Sequence, residues 1–274
     1  MASAMSLTIV IPVKNESKNL PMCLAALDGI ENIVILDSGS TDDTVEIAEA
    51  VGAQVLQFEW DGHYPKKRNW YLINHAPQTD WVMFLDADEV LSPEFLAELK
   101  PALANESMAG YWLHYTNYFL GKELKHGVVQ RKLALFRVGS GLYEKIDEAG
   151  WSRLDMEIHE HPVIDGAIGE ISARIDHRDF RGLARFLDRH VDYARWETKR
   201  LARLGPKEST DWAALTKRQS FKYSHLPKWW FAPVYFLNTY ILKRGFLDGA
   251  AGFHYAYYKA WYFHSIRLMI KTTE

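Results

Sequence analysis

The sequence predicts an α/β fold: a mostly parallel central sheet flanked by helices, followed by a helical, aromatic C-terminal extension. Three observations lead there. Short apolar runs alternate with helix-like stretches through the first third of the chain. After Gly110 the runs shorten and alternate apolar with polar. From Leu183 the apolar positions take a helical period, and from Leu226 the chain turns aromatic and basic. With 274 residues, 48% of them hydrophobic, the chain suits one large domain or two closely joined ones with a sizeable core.

Leu7 to Val13 is apolar and β-branched and reads as a buried strand. A helix is expected from about Ser17 to Leu27, then a second strand over Asn32 to Asp37. Ser40-Thr41-Asp42-Asp43 has capping-box spacing and is expected to open a helix to about Val51, stopped by Gly52. Gln54 to Phe58 is a third strand, about Pro65 to His75 a helix, and Trp81 to Leu85 a fourth strand. Ser92-Pro93 supplies a cap and a first helical position for Pro93 to Leu103. Tyr111 to Phe119 and Lys132 to Arg137 read as strands, Gly139 to Gly150 as loop, and Val163 to Arg174 as a hairpin or short strands. Leu183, Phe186, Leu187, Val191, Ala194 and Leu201 mark one apolar helix face.

The net charge of −3 gives no reason to expect nucleic acid. A single cysteine, Cys23, excludes an internal disulfide and fits a reducing cytoplasm. Met1 to Ser6 is short and uncharged and leads straight into a strand, so no signal peptide is expected. No segment reaches the ~18 uninterrupted apolar residues of a spanning helix. The nearest, Trp229 to Leu242, contains Pro233 and Asn238.

Strands alternating with helices imply a parallel sheet covered on both faces, with ligands at the carboxyl ends of its strands. Those ends carry Val13-Lys14-Asn15-Glu16, Asp37-Ser38-Gly39-Ser40 and Asp86-Ala87-Asp88. In a strand, residues i and i+2 point to one side. Asp86 and Asp88 therefore read as two carboxylates that need a cation or a proton, and hard divalent cations prefer oxygen ligands. Glu16 and Asp37 are acceptors suited to N–H and hydroxyl groups; Asp37 also reads as a turn residue, and Asp42 as a helix cap. Arg68 can hold a phosphate or a carboxylate at the same edge. Lys67 reads either as its companion or as a solvated neighbour.

Leu7 to Glu16, Asp37 to Thr44, Lys67-Arg68-Asn69 and Leu85 to Glu89, in this order and spacing, resemble family 2 of the inverting glycosyltransferases, which have the GT-A fold. The resemblance extends to Leu135-Phe136-Arg137, His159-Glu160 and Asp176-His177. It is strongest to the branch that adds single sugars to lipopolysaccharide core or exopolysaccharide. It implies a catalytic domain over 1–182, with a nucleotide-sugar half to about 105 and an acceptor half from about 106, and a helical region over 183–274. It further implies a nucleoside-diphosphate sugar donor, UDP-linked and glucose-like, bound by Pro12, Lys14, Asn15, Glu16, Asp37, Ser38, Arg68 and Asp86. Mg2+ or Mn2+ would sit on Asp88, Asp86 and His177.

Glu160, ionised at its ordinary pKa of ~4.3 unless burial against Trp151 raises it, would take the proton from the acceptor hydroxyl. The chain departs from the family in having Ser38 where many members have a second aspartate, and His159-Glu160 where Glu-Asp is usual. It lacks the Gln-x-x-Arg-Trp of processive synthases, so transfer of one sugar is expected. A nucleotidyltransferase, or a non-catalytic nucleotide-sugar-binding protein at the membrane, is the alternative. The first of these would carry a Gly-rich basic loop after the first strand, absent here.

The stretch Leu226 to Lys271 interleaves aromatics with Lys228, Lys243, Arg244, Lys259, Arg267 and Lys271. That pattern suits helices lying in a bilayer interface. Packing on the catalytic domain or on a second subunit, as a homodimer through this region, is the other reading. A glycan or glycolipid acceptor and a place on the cytoplasmic face of the inner membrane follow from the first.

Overall fold

The computed structural model describes residues 6–146, 148–152, 154–157, 160–178 and 182–272. Strand β1 (Leu7–Val13) leads to α1 (Leu20–Ala25), β2 (Asn32–Asp37), α2 (Thr44–Ala50), β3 (Gln54–Gln57), α3 (Lys67–Asn74) and β4 (Trp81–Phe84). A short β5 (Glu89–Val90) precedes α4 (Pro93–Leu103). Next come β6 (Gly110–Tyr115), β7 (Asn117–Phe119), β8 (Lys122–Leu124), β9 (Gln130–Arg137), β10 (Gly141–Tyr143), β11 (Pro162–Ile164) and β12 (Ile168–His177). The remainder is helical: α5 (Gly182–Arg203), α6 (Thr210–Ala213), α7 (Lys217–His225), α8 (Phe231–Leu237), a π-helical turn (Asn238–Leu242), a 3-10 turn (Gly245–Asp248) and α9 (Gly249–Thr272). Two compact units result: Met1–Thr116 with Gln130–Arg178, and Asn117–Val129 with Asp179–Glu274.

In the first unit one sheet runs in the order β3-β2-β1-β4-β9-β6-β12-β5. β3, β2, β1 and β4 are mutually parallel. β9 is antiparallel to both β4 and β6, and β12 is parallel to β6. Two reversals thus return β6 and β12 to the direction of β1. The carboxyl ends of β1, β2, β4, β6 and β12 and the amino end of β9 therefore share one edge. This is the GT-A arrangement the sequence leads one to expect.

Period-2 alternation sends β1 side chains to both faces. Leu7, Ile9, Ile11 and Val13 pack with Leu20, Cys23, Phe95 and Leu99 from α1 and α4. Val10, with Val34, Val82 and Phe84, packs with Tyr71 of α3 and Tyr143 of β10 on the other.

Several local expectations need correction. α1 starts at Leu20, because Asn15 to Asn19 are spent in a loop with Asn15 at φ +56°. The capping box at Ser40 does not form: the Ser40 hydroxyl donates to Asp37, and α2 begins at Thr44. Val163 to Arg174 is no hairpin, since β11 pairs with β10 and β12 with β6 and β5. The cap at Ser92 is present, its hydroxyl accepting from Phe95 N at 3.1 Å.

In the second unit α9 packs on α5 and α8. Much of the aromatic tail is core: Phe263 meets Phe231 and Tyr235 at ring separations of 5.2 and 4.6 Å, and Tyr262 and Ile266 are buried. Among the described residues no helix is long and apolar enough to cross a membrane.

Candidate functional site

The strand ends after β1 and β2 are locked to each other. Pro12 is buried within β1, in register with Leu36. Lys14 and Asn15 are exposed beyond it. Asn15 takes the left-handed backbone region that asparagine tolerates better than most residues. Its backbone N donates to Ser40 Oγ at 2.9 Å, and its Oδ1 accepts from Thr41 N at 2.8 Å. Glu16 N donates to Thr44 Oγ1 at 2.8 Å, and the Glu16 carboxylate accepts from Asn19 Nδ2 at 2.8 Å. Hydrogen bonds from Thr44 and Ser17 hold Asp42 down to about 2, so Asp42 ties the two loops together.

Asp37, buried at the end of β2, accepts from Ser40 N at 3.1 and 3.0 Å and from Ser40 Oγ at 2.5 Å. The turn role and the edge position coincide in this one residue. Ser38 Oγ donates to Asp155 Oδ2 at 2.6 Å. A carboxylate thus stands beside Ser38 where the family motif would have carried one in sequence.

The first turn of α3 organises the rest of the site. Three consecutive basic residues fan out from it. Lys66 Nζ lies 2.6 Å from Glu148 Oε1 and 2.7 Å from Glu160 Oε1. Lys67 Nζ reaches the Val13 carbonyl and Asp155 Oδ2, each at 3.3 Å. Arg68 Nη2 lies 3.1 Å from Asp86 Oδ1, and its Nη1 donates to Glu157 O at 2.6 Å. Positive side chains at a helix N-terminus oppose the helix dipole, and here a carboxylate answers each. Glu157 also caps the helix, its two oxygens accepting from Arg68 N at 2.9 Å and Asn69 N at 3.0 Å. Lys67 is buried, which corrects the reading of it as a solvated neighbour; burial holds its pKa below the usual lysine value.

Asp86 and Asp88 do not sit on a strand. β4 ends at Phe84, and the chain turns through Asp86 to Asp88 into β5. The strand rule that sends residues i and i+2 to one side therefore does not apply to Asp86 and Asp88. Asp86 already has its cations: Arg68, and Lys132 Nζ at 2.6 Å. Burial would raise its pKa, but Lys132 and Arg68 prevail and hold it well below the carboxylate range.

Lys132 also meets Glu89 Oε1 at 2.5 Å, and Glu89 Oε2 accepts from Asp86 N at 2.9 Å. Glu89 is 0% exposed, and burial, opposed by Lys132 and reinforced by Asp86, pushes it up to about 7. β5 then pairs with β12, placing Glu89 opposite His177. This crossing sets Asp88 Oδ1 3.5 Å from His177 Nε2. Burial lowers the pKa of that imidazole, and Asp88 more than restores it, so it stands above its ordinary value.

Two atoms on adjacent positions of an octahedral Mg2+, each at ~2.1 Å, lie about 3 Å apart. Asp88 Oδ1 and His177 Nε2, at 3.5 Å, stand wider apart than that. Among the described residues no cluster of three or more His, Cys, Asp or Glu could hold a metal alone. Both oxygens of Asp86 face basic side chains.

Glu160 is buried, and its pKa is pushed up to about 8: burial raises it, Lys66 lowers it, and the hydrogen-bonded Glu148 raises it again. Glu160 therefore departs from its ordinary pKa, chiefly through burial, and Glu148 adds to the rise. His159 lies outside the described residues. Trp60, Tyr64, Glu144, Glu148 and Glu160 line a small cleft. Sequence reasoning missed Lys66, Lys132, Glu148, Asp155 and Glu157. The available signal for Lys132 was its place, directly after Arg131, at the start of the apolar run Leu133 to Phe136.

The α/β sheet gathers acidic and basic groups at one edge, the place where such sheets bind ligands. The glycosyl transferase family 2 model matches residues 8–153, more than half of the chain, and the chain belongs to that family. It is an enzyme, a glycosyltransferase, which sets aside the nucleotidyltransferase and the non-catalytic readings. An uncharacterized glycosyltransferase of Rickettsia conorii is 25% identical over 247 residues, covering 87% of this chain and 82% of the relative. The lipopolysaccharide core biosynthesis glycosyltransferase LpsC of Rhizobium meliloti is 29% identical over 178 residues, 62% of this chain and 61% of LpsC. Glucosyl-3-phosphoglycerate synthase from Mycobacterium tuberculosis, crystallised with Mn2+ and UDP-glucose, is 26% identical over 38% of this chain and 42% of that one. The TM-score of that likeness is 0.31.

Proposed function

We propose that the chain transfers one sugar, with inversion, from a nucleoside-diphosphate sugar to a lipid-linked, lipopolysaccharide or exopolysaccharide acceptor at the cytoplasmic face of the inner membrane. The observation that carries this is the fan of Lys66, Lys67 and Arg68. It ties the carboxylates of a donor site and the carboxylate of an acid–base site to one helix start. The uridine and glucose assignments rest on the family resemblance, and the acceptor class is supported by the name of LpsC.

Glu16 and Asp37 are the groups for the base and ribose, with Asp155 supplying through Ser38 the carboxylate missing from the motif. Asp88 and His177 would hold Mg2+ or Mn2+, which neutralises charge on the departing nucleoside diphosphate. Arg68 and Lys132 fix Asp86 and hold positive charge at the same edge, favouring the diphosphate electrostatically.

Glu160 takes the proton of the acceptor hydroxyl as that oxygen bonds to the anomeric carbon and the bond from that carbon to the diphosphate breaks. An α-linked donor then gives a β-linked product. Trp60 and Tyr64 line the same small cleft as Glu160.

The test is Glu160→Gln. Donor affinity is expected to stay while transfer falls by roughly a hundredfold or more. Donor affinity and transfer falling in proportion would remove Glu160 from the role of base.

A further inference from the structure

In the second unit one surface is apolar and flanked by positive charge. Val234, Leu237 and Ile241, spaced i, i+3 and i+7 through α8 and the π-helical turn, make one exposed stripe. Leu242, 76% exposed, carries the stripe into the turn, where Phe246 and Leu247 are also exposed. Phe253 of α9 joins it, lying 5.5 Å from Tyr240 and 5.9 Å from Phe236 between ring centres. Trp229, 71% exposed, stands just before α8.

These side chains are held out by a braced turn. Lys243 N donates to Asn238 O at 2.8 Å, and Gly127 N donates to Lys243 O at 2.9 Å. The Asp248 carboxylate accepts from Lys125 N and His126 N at 3.2 and 2.9 Å. Gly252 lies so close that a Cβ there would meet the Gly245 carbonyl at 2.0 Å, which demands glycine. A framework that holds large apolar groups in water in this way marks an interaction surface.

Charge selects the partner. Between Leu226 and Lys271 the one acidic residue is Asp248, which is buried and engaged as above. Lys228, Lys243 and Arg244 are exposed at either end of the stripe. A twofold dimer through this face would set the same basic residues of each copy near one another. An anionic bilayer matches both parts, with apolar side chains and aromatic rings at the acyl boundary and basic groups at the headgroups.

We propose that this face seats the second unit on an anionic lipid bilayer, with Leu242, Phe246 and Leu247 entering it and Lys228, Lys243 and Arg244 on the headgroups. This deepens the reading that places the acceptor at a membrane and rests on it only for the acceptor. Vesicle binding is read without donor or acceptor, so its failure leaves the Glu160 test untouched.

The experiment is co-sedimentation of the full chain with vesicles of phosphatidylcholine, alone or in equal parts with phosphatidylglycerol. Wild type is expected to bind the mixed vesicles and to lose binding as salt is raised. Leu242→Glu with Leu247→Glu should weaken binding by roughly tenfold or more. Lys228→Gln with Lys243→Gln, which alters only exposed charge, should weaken binding to mixed vesicles by roughly tenfold or more and leave plain phosphatidylcholine unchanged. Thermal midpoints equal to wild type confirm folding. Absence of wild-type binding to mixed vesicles, or equal binding by both double variants, overturns the proposal. So does loss of a dimer in sedimentation velocity without any vesicle binding, which would make this face a subunit interface.

Discussion

Lys66 carries one charge and faces two buried carboxylates, so burial favours one shared proton in the Glu148–Lys66–Glu160 cluster. If Glu160 accepts the acceptor proton, transfer must fall as pH drops below about 8, because the protonated acid has nothing left to accept. The neighbours give the sign. Lys66→Met removes the cation that lowers Glu160, so the limb of the pH profile moves to higher pH. Glu148→Gln removes the neighbour that raises it, and the limb moves lower. Profiles of kcat/KM for the three proteins check both shifts; a limb fixed in both variants assigns the titration to another group. Glu160 was legible from its place in a motif. Its partners were not, because 82 and 94 residues separate Lys66 from Glu148 and Glu160, and sequence carries no mark of which charges are buried together.

At the scale of elements, α3 depends on a cap supplied from outside its own segment. Glu157→Ala removes the acceptor for two backbone N–H groups and should cost about 1–2 kcal/mol. A fall of about 2–4 °C in Tm is expected by calorimetry; an unchanged Tm would show that Glu157 caps nothing of consequence. Strands β1, β2 and β4 and helix α4 were legible, since period and capping are local properties. The start of α2 was misread because Asp37 competes for the Ser40 hydroxyl. The direction of β9 and the pairing of β5 with β12 are tertiary facts, and they decide where Lys132 and His177 fall.

In the molecule as a whole, the first unit gathers its charged groups at one sheet edge. The two strand reversals bring Asp37, Asp86 with Asp88, Lys132 and His177 to that edge from four separate segments. The strand ends of the first half were legible as an edge. The Asp88–His177 pair arose there only through the resemblance, and its geometry comes from the β5 crossing. The most direct test is calorimetric titration of UDP into wild type and Asp88→Ala, each with and without Mn2+. Wild type is expected to bind UDP roughly tenfold or more tightly with Mn2+, and Asp88→Ala to lose that gain. Equal affinity with and without Mn2+ in wild type, or an undiminished gain in Asp88→Ala, would contradict the account.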